Sequence, residues 1–475
     1  MIEGLKQYAE YKDSGSKWLG KVPSQWEAVP LGRPLVQRIE QNRPVKTKDI
    51  LSLSLRQGLI PYSEKKSGGN KAKDDVSAYT LAYPGDIVLN SMNVVVGSVG
   101  LSKYFGAVSP VYYVLHTRSA EDSILFFNAI FQDTTFQQSL WGLGNGILFL
   151  QSKTSGKFNT IRMRIPMHSL RRVVIPQPPP DEQAAIVRFL DHANRKIDRF
   201  IRVKRKLIGL LNEQKQAIIH RAVTRGLDPN VALKPSGIAW LGDIPAHWEA
   251  KRIKYILREV DNRSTNGLEP LLSMRMHHGL VVFSEHFTRP PQAATLVGFK
   301  IVKPRQFVVN RMQAGNGVIF PSCLNITGLV SPDYAVFDPI ADVNVDYLGE
   351  LFRTRALRVK FRSESKGLGT GTSGFMRLYN DRFSAIHIPL PPRVEQDSIL
   401  SGIEERSAHL TTAITRTERE IALMQEYRTR LTSDIVTGKL DVREVAAGLP
   451  ELGEEAATEL LDEAEILDDT DAEET

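Results

Sequence analysis

Two stretches of the sequence carry the carboxylates and the lysine that a metal-dependent nuclease gathers around a divalent ion. These stretches pair Pro180-Asp181 with Glu213-x-Lys215, and Pro332-Asp333 with Glu364-x-Lys366. A helix through the first stretch would place its carboxylates about 48 Å apart, at ~1.5 Å per residue, so they could not share an ion. In the second stretch, the repeat described below puts Val111 at the position of Asp333, so the pattern is not duplicated. We therefore assign no nuclease site.

Other catalytic motifs are incomplete, because a required residue is replaced in each. The Gly-Lys pairs that begin at Gly20, Gly156 and Gly438 continue into Val, Phe and Leu, whereas a phosphate-binding loop needs Ser or Thr. The proline runs continue into Asp or Arg, whereas an adenine methyltransferase would need an aromatic residue there. Cys323 is the single cysteine, and the adjacent His277 and His278 point apart on a strand. The sequence predicts neither an enzyme nor a metal site.

Composition indicates a globular protein of several domains. The 475 residues are 42% hydrophobic and 24% charged, and one cysteine excludes an intrachain disulfide. We expect a cytoplasmic location, because the N-terminus has no signal-peptide pattern and no apolar run approaches a membrane span. Residues 450–475 hold 12 acidic and no basic residues; without them, 61 basic residues face 42 acidic ones, a balance of +19. Such a charge favours a polyanionic partner, most often nucleic acid, although solubility alone could account for it.

The sequence is duplicated. WLGKVPSQWEA at 18–28 returns as WLGDIPAHWEA at 240–250, with seven of eleven positions identical. VSPVYYVLH at 108–116 parallels VSPDYAVFD at 330–338, and YPGDIVLNSMNVVVG at 83–97 parallels VKPRQFVVNRMQAGNG at 302–317. IPQPPPDEQ at 175–183 parallels IPLPPRVEQ at 388–396, and AVTRGLD at 222–228 parallels IVTGKLD at 435–441. The chain is therefore a tandem repeat of units near 215 residues.

Each unit begins with short β-like runs between Gly, Pro and Asn, which predict a mixed α/β domain. A heptad pattern then predicts a long helix that seeks a helical partner. Its spacer positions are Ile186, Leu190, Ile197, Phe200, Leu207 and Leu211 in the first helix, and Ile403, Leu410, Ile414, Ile421, Met424 and Leu431 in the second. The predicted class is α+β: two similar mixed α/β domains separated by two long antiparallel coiled-coil helices, with pseudo-two-fold symmetry.

The predicted boundaries follow from the motifs. They are 1–17 for an N-terminal segment, 18–178 for the first domain, 179–222 for the first helix, 223–239 for a linker, 240–391 for the second domain, 392–437 for the second helix and 438–475 for a C-terminal segment with the acidic tail. We expect Trp18, Trp26, Trp240 and Trp248 to anchor the chain where it meets each domain, with a partner-docking role as the alternative. Glu182-Gln183 and Glu395-Gln396 are expected at helix starts, with contact to partner subunits as the alternative.

This order of motifs resembles the specificity subunit of type I restriction–modification enzymes over residues 11–441. The tryptophan motifs, the two proline-to-Glu-Gln motifs and the two helix ends carry the resemblance. It implies two target-recognition domains, each reading one half of a split DNA sequence, and helices that set the spacing and dock modification subunits, two per chain. The resemblance also implies that these partners bind S-adenosylmethionine and methylate adenine at N6. Restriction and translocase subunits would add ATP and Mg²⁺, and this chain itself would bind no cofactor.

Contacts to double-stranded DNA are expected from basic and amide side chains in Gly-rich loops, since Arg, Asn and Gln can read base edges. In the first domain the candidates are Arg56, Lys65, Lys66, Lys71, Lys73, Asn93, Lys153, Lys157, Arg162 and Arg164. In the second they are Arg275, His277, Arg311, Gln313, Asn316, Lys366 and Arg377. Each could instead be an ordinary surface residue. The alternative function is a specificity-like scaffold or inhibitor that binds partner subunits without reading DNA.

Overall fold

The structure is a computed structural model that describes residues 5–54, 58–65, 75–144, 150–151, 158–159, 164–238, 240–276, 278–287, 290–368 and 375–450. These residues form two compact units. The first unit contains the described residues up to Gln151, those between Gly156 and Lys204, and those from Arg419 onward. The second comprises Arg205–Glu418. Each unit therefore holds one domain together with part of each long helix.

Before the first long helix, the described part of the first unit consists of short strands and three short α-helices. Its strands are β1 Tyr11–Asp13, β2 Lys21–Pro23, β3 Glu27–Pro30, β4 Leu35–Arg38, β5 Leu51–Ser54, β6 Gly58–Pro61, β7 Thr80–Ala82, β8 Ile87–Asn90, β9 Val99–Leu101, β10 Gly106–Val108, β11 Tyr112–Thr117, β12 Leu150–Gln151, β13 Phe158–Asn159 and β14 Val174–Gln177. Its short helices are α1 Ile124–Gln132, α2 Thr134–Ser139 and α3 Met167–Leu170. The long helix α4, Pro180–Arg225, follows β14.

The second unit repeats this plan. Its strands are β15 Leu233–Pro235, β16 Asp243–Pro245, β17 Glu249–Arg252, β18 Leu257–Val260, β19 Leu272–Arg275, β20 Gly279–Val282, β21 Lys300–Val302, β22 Phe307–Val309, β23 Ile319–Pro321, β24 Gly328–Val330, β25 Ala335–Pro339, β26 Lys366–Leu368, β27 Phe375–Arg377 and β28 His387–Leu390. Its short helices are α5 Phe283–His286, α6 Val345–Phe352, α7 Arg355–Glu364 and α8 Asn380–Ala385. The long helix α9, Arg393–Val436, follows β28, and the short α10, Arg443–Ala447, lies in the first unit.

The sheets match one to one between the units. A four-stranded antiparallel sheet has the order β4-β11-β8-β9 in the first unit and β18-β25-β22-β23 in the second. Five two-stranded pairings also correspond, among them β3 with β14 and β17 with β28, which join the start of each domain to its end. The predicted α+β class with duplicated mixed domains is thus confirmed, element by element.

The two long helices run antiparallel where each unit packs them together. In the first unit Asp198 on α4 forms an ion pair with Arg428 on α9, and Lys204 forms one with Glu420 at 2.7 Å. Residue numbers increase along α4 while those of their partners on α9 decrease, so the helices run in opposite directions. In the second unit Lys215 Nζ donates to Thr411 Oγ1 at 2.9 Å. The heptad pattern predicted this pairing, and the structure confirms both long helices.

The heptad positions are buried most deeply near the domains. Ile186, Leu190, Ile197, Ile403, Leu410 and Leu431 are all buried. Phe200, Leu211, Ile414, Ile421 and Met424 are half-buried, and Leu207 is exposed. A two-helix pair covers only one face of each helix, so its middle positions keep contact with solvent unless other chains cover them.

Each domain is fixed to the helices by a buried tryptophan. Trp26 shares the core of the first unit with residues from the start of α4 and the end of α9. Trp248 shares the core of the second unit with residues from the end of α4 and the start of α9. The helix that ends in each unit is followed closely by a glycine at positive φ, Gly438 at 79° and Gly226 at 77°. A bulkier residue there would approach the indole ring, so the glycine and the tryptophan fit as one joint.

Two segments that precede the tryptophan motifs take part in the units. The sequence prediction gives residues 1–17 as an N-terminal segment and residues 223–239 as a linker. Tyr8 is buried in the core of the first unit, and strand β15 pairs with β16 in the second. Both segments lead into a tryptophan motif, and each forms an antiparallel hairpin with it. Their polar composition concealed this pairing, because short edge hairpins bury few side chains.

The glycine joints give a matched stability test. Alanine at 438 would overlap the Pro23 ring and lie 3.0 Å from Trp26 Cζ3, whereas alanine at 226 would lie 3.5 Å from Trp248 Cζ2. Both variants pay the positive-φ penalty of about 1 kcal/mol, and overpacking adds about 2 kcal/mol at Gly438 alone. We expect Gly438→Ala to lower the free energy of unfolding by about 3 kcal/mol and Gly226→Ala by about 1 kcal/mol, measured by urea denaturation.

Gly209 provides the control, because it lies within α4 with nothing near its Cβ position. Gly209→Ala should raise stability by up to about 1 kcal/mol through helix propensity. Equal losses for Gly438→Ala and Gly226→Ala would contradict the packing described here.

Candidate functional site

The β8–β9 and β22–β23 connections, residues 90–98 and 310–318, have the same backbone structure and are called the twin loops. In each, the first residue is an asparagine whose Oδ1 accepts from the N–H two residues on. Asn90 accepts from Met92 at 3.0 Å, and Asn310 accepts from Met312 at 3.1 Å. This side-chain turn fixes the entry of each loop.

A short 3-10 turn follows at the same place in both loops. The carbonyl of Asn93 accepts from Val96 and Ser98, each at 3.1 Å. The carbonyl of Gln313 accepts from Asn316 at 2.9 Å and from Val318 at 3.3 Å. The turns end at Gly97 (φ 80°) and Gly317 (φ 82°), where the left-handed conformation requires glycine. The loops are therefore two copies of one rigid frame.

The two loops rest on different chemistry. Beneath Gly97 lies the amide of Gln137 on α2, which itself donates to the Phe131 carbonyl at 2.9 Å. Beneath Gly317 lies the side chain of Arg358 on α7. Arg362, one turn further along α7, donates to Asn316 Oδ1 at 3.0 Å. The second loop is thus surrounded by more positive charge than the first.

One arginine stands beside each loop at an equivalent position. The Ile165 N–H donates to the Ser91 carbonyl, and the Leu378 N–H donates to the Arg311 carbonyl, both at 2.9 Å. These bonds bring the preceding residues, Arg164 and Arg377, to the edge of the loops. Each guanidinium also faces a tyrosine ring, with Arg164 6.0 Å from Tyr113 and Arg377 5.7 Å from Tyr379. Stacking of this kind holds an arginine side chain in place for a ligand.

The structure gathers further predicted residues of the second domain around its loop. Lys366 lies directly opposite Arg377 in the β26–β27 pair. Arg275 is at the turn of the β19–β20 hairpin, and Gly279 of that turn is next to Phe320 on β23, the strand that leaves the loop. In the first domain, Lys65 follows the matching β5–β6 hairpin, and its ammonium lies 5.5 Å from the Tyr62 ring. The DNA role of these residues stays a prediction.

Arg311 has an internal partner. Its guanidinium forms an ion pair with Glu259, and its side chain is 17% exposed. Lys300 adds a second cation to this cluster, 3.2 Å from Asp261. The equivalent residue in the first loop is Ser91, whose hydroxyl donates to the Val111 carbonyl at 2.8 Å. This position therefore ties the loop to its own sheet in both domains.

The remaining predicted DNA-binding residues lie outside the described residues. They are Arg56, Lys66, Lys71, Lys73, Lys153, Lys157, Arg162 and His277. Sequence reasoning missed Arg358 and Arg362, which face the second loop from below. No repeated motif marked them, because the first domain uses Gln137 in that place. No local pattern in the sequence identifies the side chain that packs beneath Gly97 or Gly317.

The Glu-Gln pairs prove to be structural parts of the helix starts. Gln183 Oε1 accepts from the Ser123 N–H and its amide donates to the Pro178 carbonyl, at 2.8 and 2.9 Å. Gln396 does the same with Asn344 and Pro391, each at 2.8 Å. Both glutamines are buried, so each one fixes its long helix to the loop before α1 or α6.

The preceding glutamates meet different partners in the two units. Glu182 is buried and accepts a hydrogen bond from the Tyr8 hydroxyl. Burial, and after it this hydrogen bond, raises the pKa of Tyr8 well above its usual value, so the phenol stays a donor. Glu395 instead pairs with His247 at 2.7 Å on the surface.

The nuclease-like patterns are not assembled into a site. Asp181 and Glu213 lie on the same continuous helix, roughly nine turns apart. Glu364 is bound by Lys360 at 2.6 Å and faces Arg382 at 3.6 Å, so basic side chains occupy its carboxylate. Within the described ranges, no group of three His, Cys, Asp or Glu side chains is placed to hold a metal ion.

Comparison with known proteins gives a structural match without a sequence family. No protein-family model matches the chain. A chain from a structure that concerns complex assembly and conformational transition of the type I R-M system superimposes with a TM-score of 0.55 at 12% identity, covering 87% of this chain and 98% of that chain. The two proteins share a fold. The resemblance drawn from the motifs is thereby confirmed at the level of the fold.

Two further solved structures resemble this chain more weakly. The HsdS subunit from Thermoanaerobacter tengcongensis gives a TM-score of 0.40 at 13% identity, covering 88% of this chain and 98% of its own. The type I restriction–modification S subunit from M. genitalium gives 0.31 at 13% identity, covering 86% and 96%. Separately, none of the helices in the described part of the chain has the length and apolar character needed to cross a membrane.

The twin loops can be tested through their glycines. Alanine at Gly97 would sit 3.2 Å from Gln137 Nε2, and alanine at Gly317 would sit 3.1 Å from Arg358 Cδ, each with positive φ. We expect each substitution to lower the free energy of unfolding by about 1–2 kcal/mol. Amide hydrogen exchange at residues 96–98 or 316–318 should accelerate in the corresponding variant.

Gly142→Ala is the control, since Gly142 has ordinary φ and nothing within 4 Å of its Cβ position. Unchanged exchange in both loop variants would mean that the loops are not the rigid frames described here.

Proposed function

We propose that this chain is the specificity subunit of a type I restriction–modification complex. Each domain would read one half of a bipartite DNA target, and the helices would set the spacing between the halves. Partner subunits directed by this chain would methylate adenine at N6 and restrict unmodified DNA. The observation that carries the proposal is the pair of twin loops. Each loop has the same backbone structure and presents one carboxamide, Asn93 or Gln313, with one arginine, Arg164 or Arg377, beside it.

Charge and surface chemistry support this reading of the loops. Without residues 450–475, the chain has a formal net charge of +19. This charge suits binding to the phosphate backbone of DNA, which supplies much of the affinity of DNA-binding proteins. Arg164 and Lys366 are exposed, and Arg377 is half-buried, at loop edges that can approach a duplex. The amides of Asn93 and Gln313 and the amide of Asn316 offer the donors and acceptors that distinguish bases in the major groove. Positioning and sequence reading would thus come from one surface in each domain.

The exposed apolar residues of the long helices favour helical partners. Leu207 and Leu210 are 38% and 54% exposed on α4 within the second unit. Val203 on α4 and Leu423 on α9 are 60% and 57% exposed within the first unit. Large apolar side chains on a helix surface are typical of docking faces. We assign these faces to two modification subunits, with restriction and translocase subunits binding through them or beside them.

The chemistry would reside on those partners. S-adenosylmethionine is assigned to the modification subunits, and ATP with Mg²⁺ to the restriction subunits. This chain would act as a non-catalytic subunit that selects the DNA. The same exposed helix faces also favour a second candidate, a scaffold or inhibitor that binds partner subunits without reading DNA. DNA binding by the twin-loop surfaces separates the two.

Salt dependence provides the first test. Lys and Arg side chains that neutralise phosphates release counterions, so affinity should fall by about 10³–10⁵ between 50 and 200 mM salt for 6–10 contacts. Replacing Arg164 and Arg377 together by alanine should weaken binding to every sequence and reduce the slope by about 2, measured by fluorescence anisotropy with duplex DNA. Lys12→Ala, on the exposed β1 hairpin beside the tryptophan motif, should leave the slope unchanged. An affinity that ignores salt would contradict DNA binding by this surface.

Methylation in cells provides the second test. The chain would be co-expressed with its modification subunits and host DNA sequenced for N6-methyladenine. We expect one split motif with methylated adenine in both halves, and replacement of residues 241–388 by those of another such chain should change one half only. A complex that assembles yet produces no new motif would favour the scaffold reading instead.

A further inference from the structure

The twin loops place one carboxamide at the same point of both domains. Asn93 has φ −126° and ψ 11°, and Gln313 has φ −120° and ψ 14°. Each residue starts the 3-10 turn, and its carbonyl receives the two hydrogen bonds that close the loop. Relative to its own loop, the Cα–Cβ bond of each residue therefore points in the same direction. The duplication has preserved a carboxamide here while Ser91 and Arg311, two residues earlier, diverged.

These two carboxamides are available to a ligand. Asn93 is half-buried and Gln313 is exposed, and neither side chain has a hydrogen-bond partner among the described residues. The neighbouring amides are engaged. Asn90 and Asn310 hold the loop entries, and Asn316 accepts from Arg362. The backbone frame fixes the position from which each carboxamide extends, and an amide suits a ligand that offers one donor and one acceptor side by side.

Among the bases of a duplex, adenine presents that pair in the major groove. Its N6 amino group donates and its N7 accepts, so a carboxamide can bind it through two hydrogen bonds. Guanine presents two acceptors, which match an arginine fork instead, and cytosine and thymine each offer a single polar group. We propose that Asn93 and Gln313 are specificity-determining residues and that each reads one adenine, one in each half of the DNA target. This inference rests on the proposed function.

Arg164 and Arg377 complete the arrangement. Each lies beside its loop through the same backbone hydrogen bond, and each is held near a tyrosine ring. An arginine held there can bind the phosphates that flank the adenine and so fix the register of the loop in the groove. The carboxamide then carries the base preference and the arginine carries sequence-independent affinity. The two roles predict different phenotypes.

The test uses the full chain in its complex with modification subunits, once the methylated motif is known. Duplexes would carry 7-deazaadenine, which lacks the N7 acceptor, at each adenine of the motif in turn. With the wild-type chain, one position in each half should lower affinity several-fold. In Asn93→Ala the sensitive position of one half should become insensitive, while the other half is unchanged. Gln313→Ala should give the reciprocal result.

Base preference gives the second readout. In Asn93→Ala, discrimination between adenine and the other bases at that position should fall by roughly tenfold to a hundredfold. Asn93→Gln keeps the carboxamide and should keep the preference for adenine. Asn93→Asp leaves only acceptors and should move the preference toward cytosine, whose N4 donates. Arg164→Ala is the matched control, since it should weaken binding at all sequences without changing any base preference.

The outcomes separate this inference from the proposed function. A wild-type motif that persists unchanged in Asn93→Ala and Gln313→Ala overturns the adenine assignment and leaves the specificity-subunit proposal intact. An even loss of affinity over all sequences also overturns it, because the amides would then contact the backbone. A wild-type complex that assembles and binds no specific sequence overturns both.

Discussion

The packing of one tryptophan against the end of a long helix is the constraint on which each unit depends. Trp26 and Trp248 have no solvent exposure, and each lies where one helix begins, another ends and the domain chain enters. The glycine after the ending helix leaves room for the indole ring, and the glutamine at the starting helix fixes the loop beside it. A helix alone could rotate or slide along its partner. A bulky rigid ring in a closed joint prevents both motions, so the domains are attached to the helices in a defined orientation.

The two repeats share their backbone structure but differ in many of the side chains that surround it. The sheet order, the loop hydrogen bonds and the helix-start glutamines recur in both units. Some side chains around the loops do not recur, since Gln137 corresponds to a pair of arginines and Ser91 to the ion-paired Arg311. A rigid frame tolerates such exchanges because its shape is set by backbone hydrogen bonds and glycine conformations. Two domains of one architecture can in this way present different surfaces.

Much of the architecture could be predicted from the sequence because it depends on patterns among residues that are close together in the chain. The repeat, the heptads and the proline-to-helix transitions depend on neighbours along the chain, and both long helices were found from them. The twin loops were found only as Gly-rich segments with amides. Their equivalence depends on hydrogen bonds such as Ile165 to Ser91, which join residues far apart in sequence. Arg311 illustrates the limit, because no local pattern distinguishes an arginine that faces solvent from one paired with Glu259 on another strand.

The composition of the two units has a consequence for biosynthesis. The core of the first unit includes Leu431, Ile435, Val442 and Ala446 together with residues near the start of the chain, whereas the second unit draws on the contiguous stretch Arg205–Glu418. During translation the second unit can therefore complete its core first, although it is made later. The first domain must wait for roughly 250 further residues, about 12–50 s at ribosomal rates of ~5–20 residues per second. Until then its Trp26 joint lacks the end of α9, and its apolar surface is exposed to solvent or to chaperones.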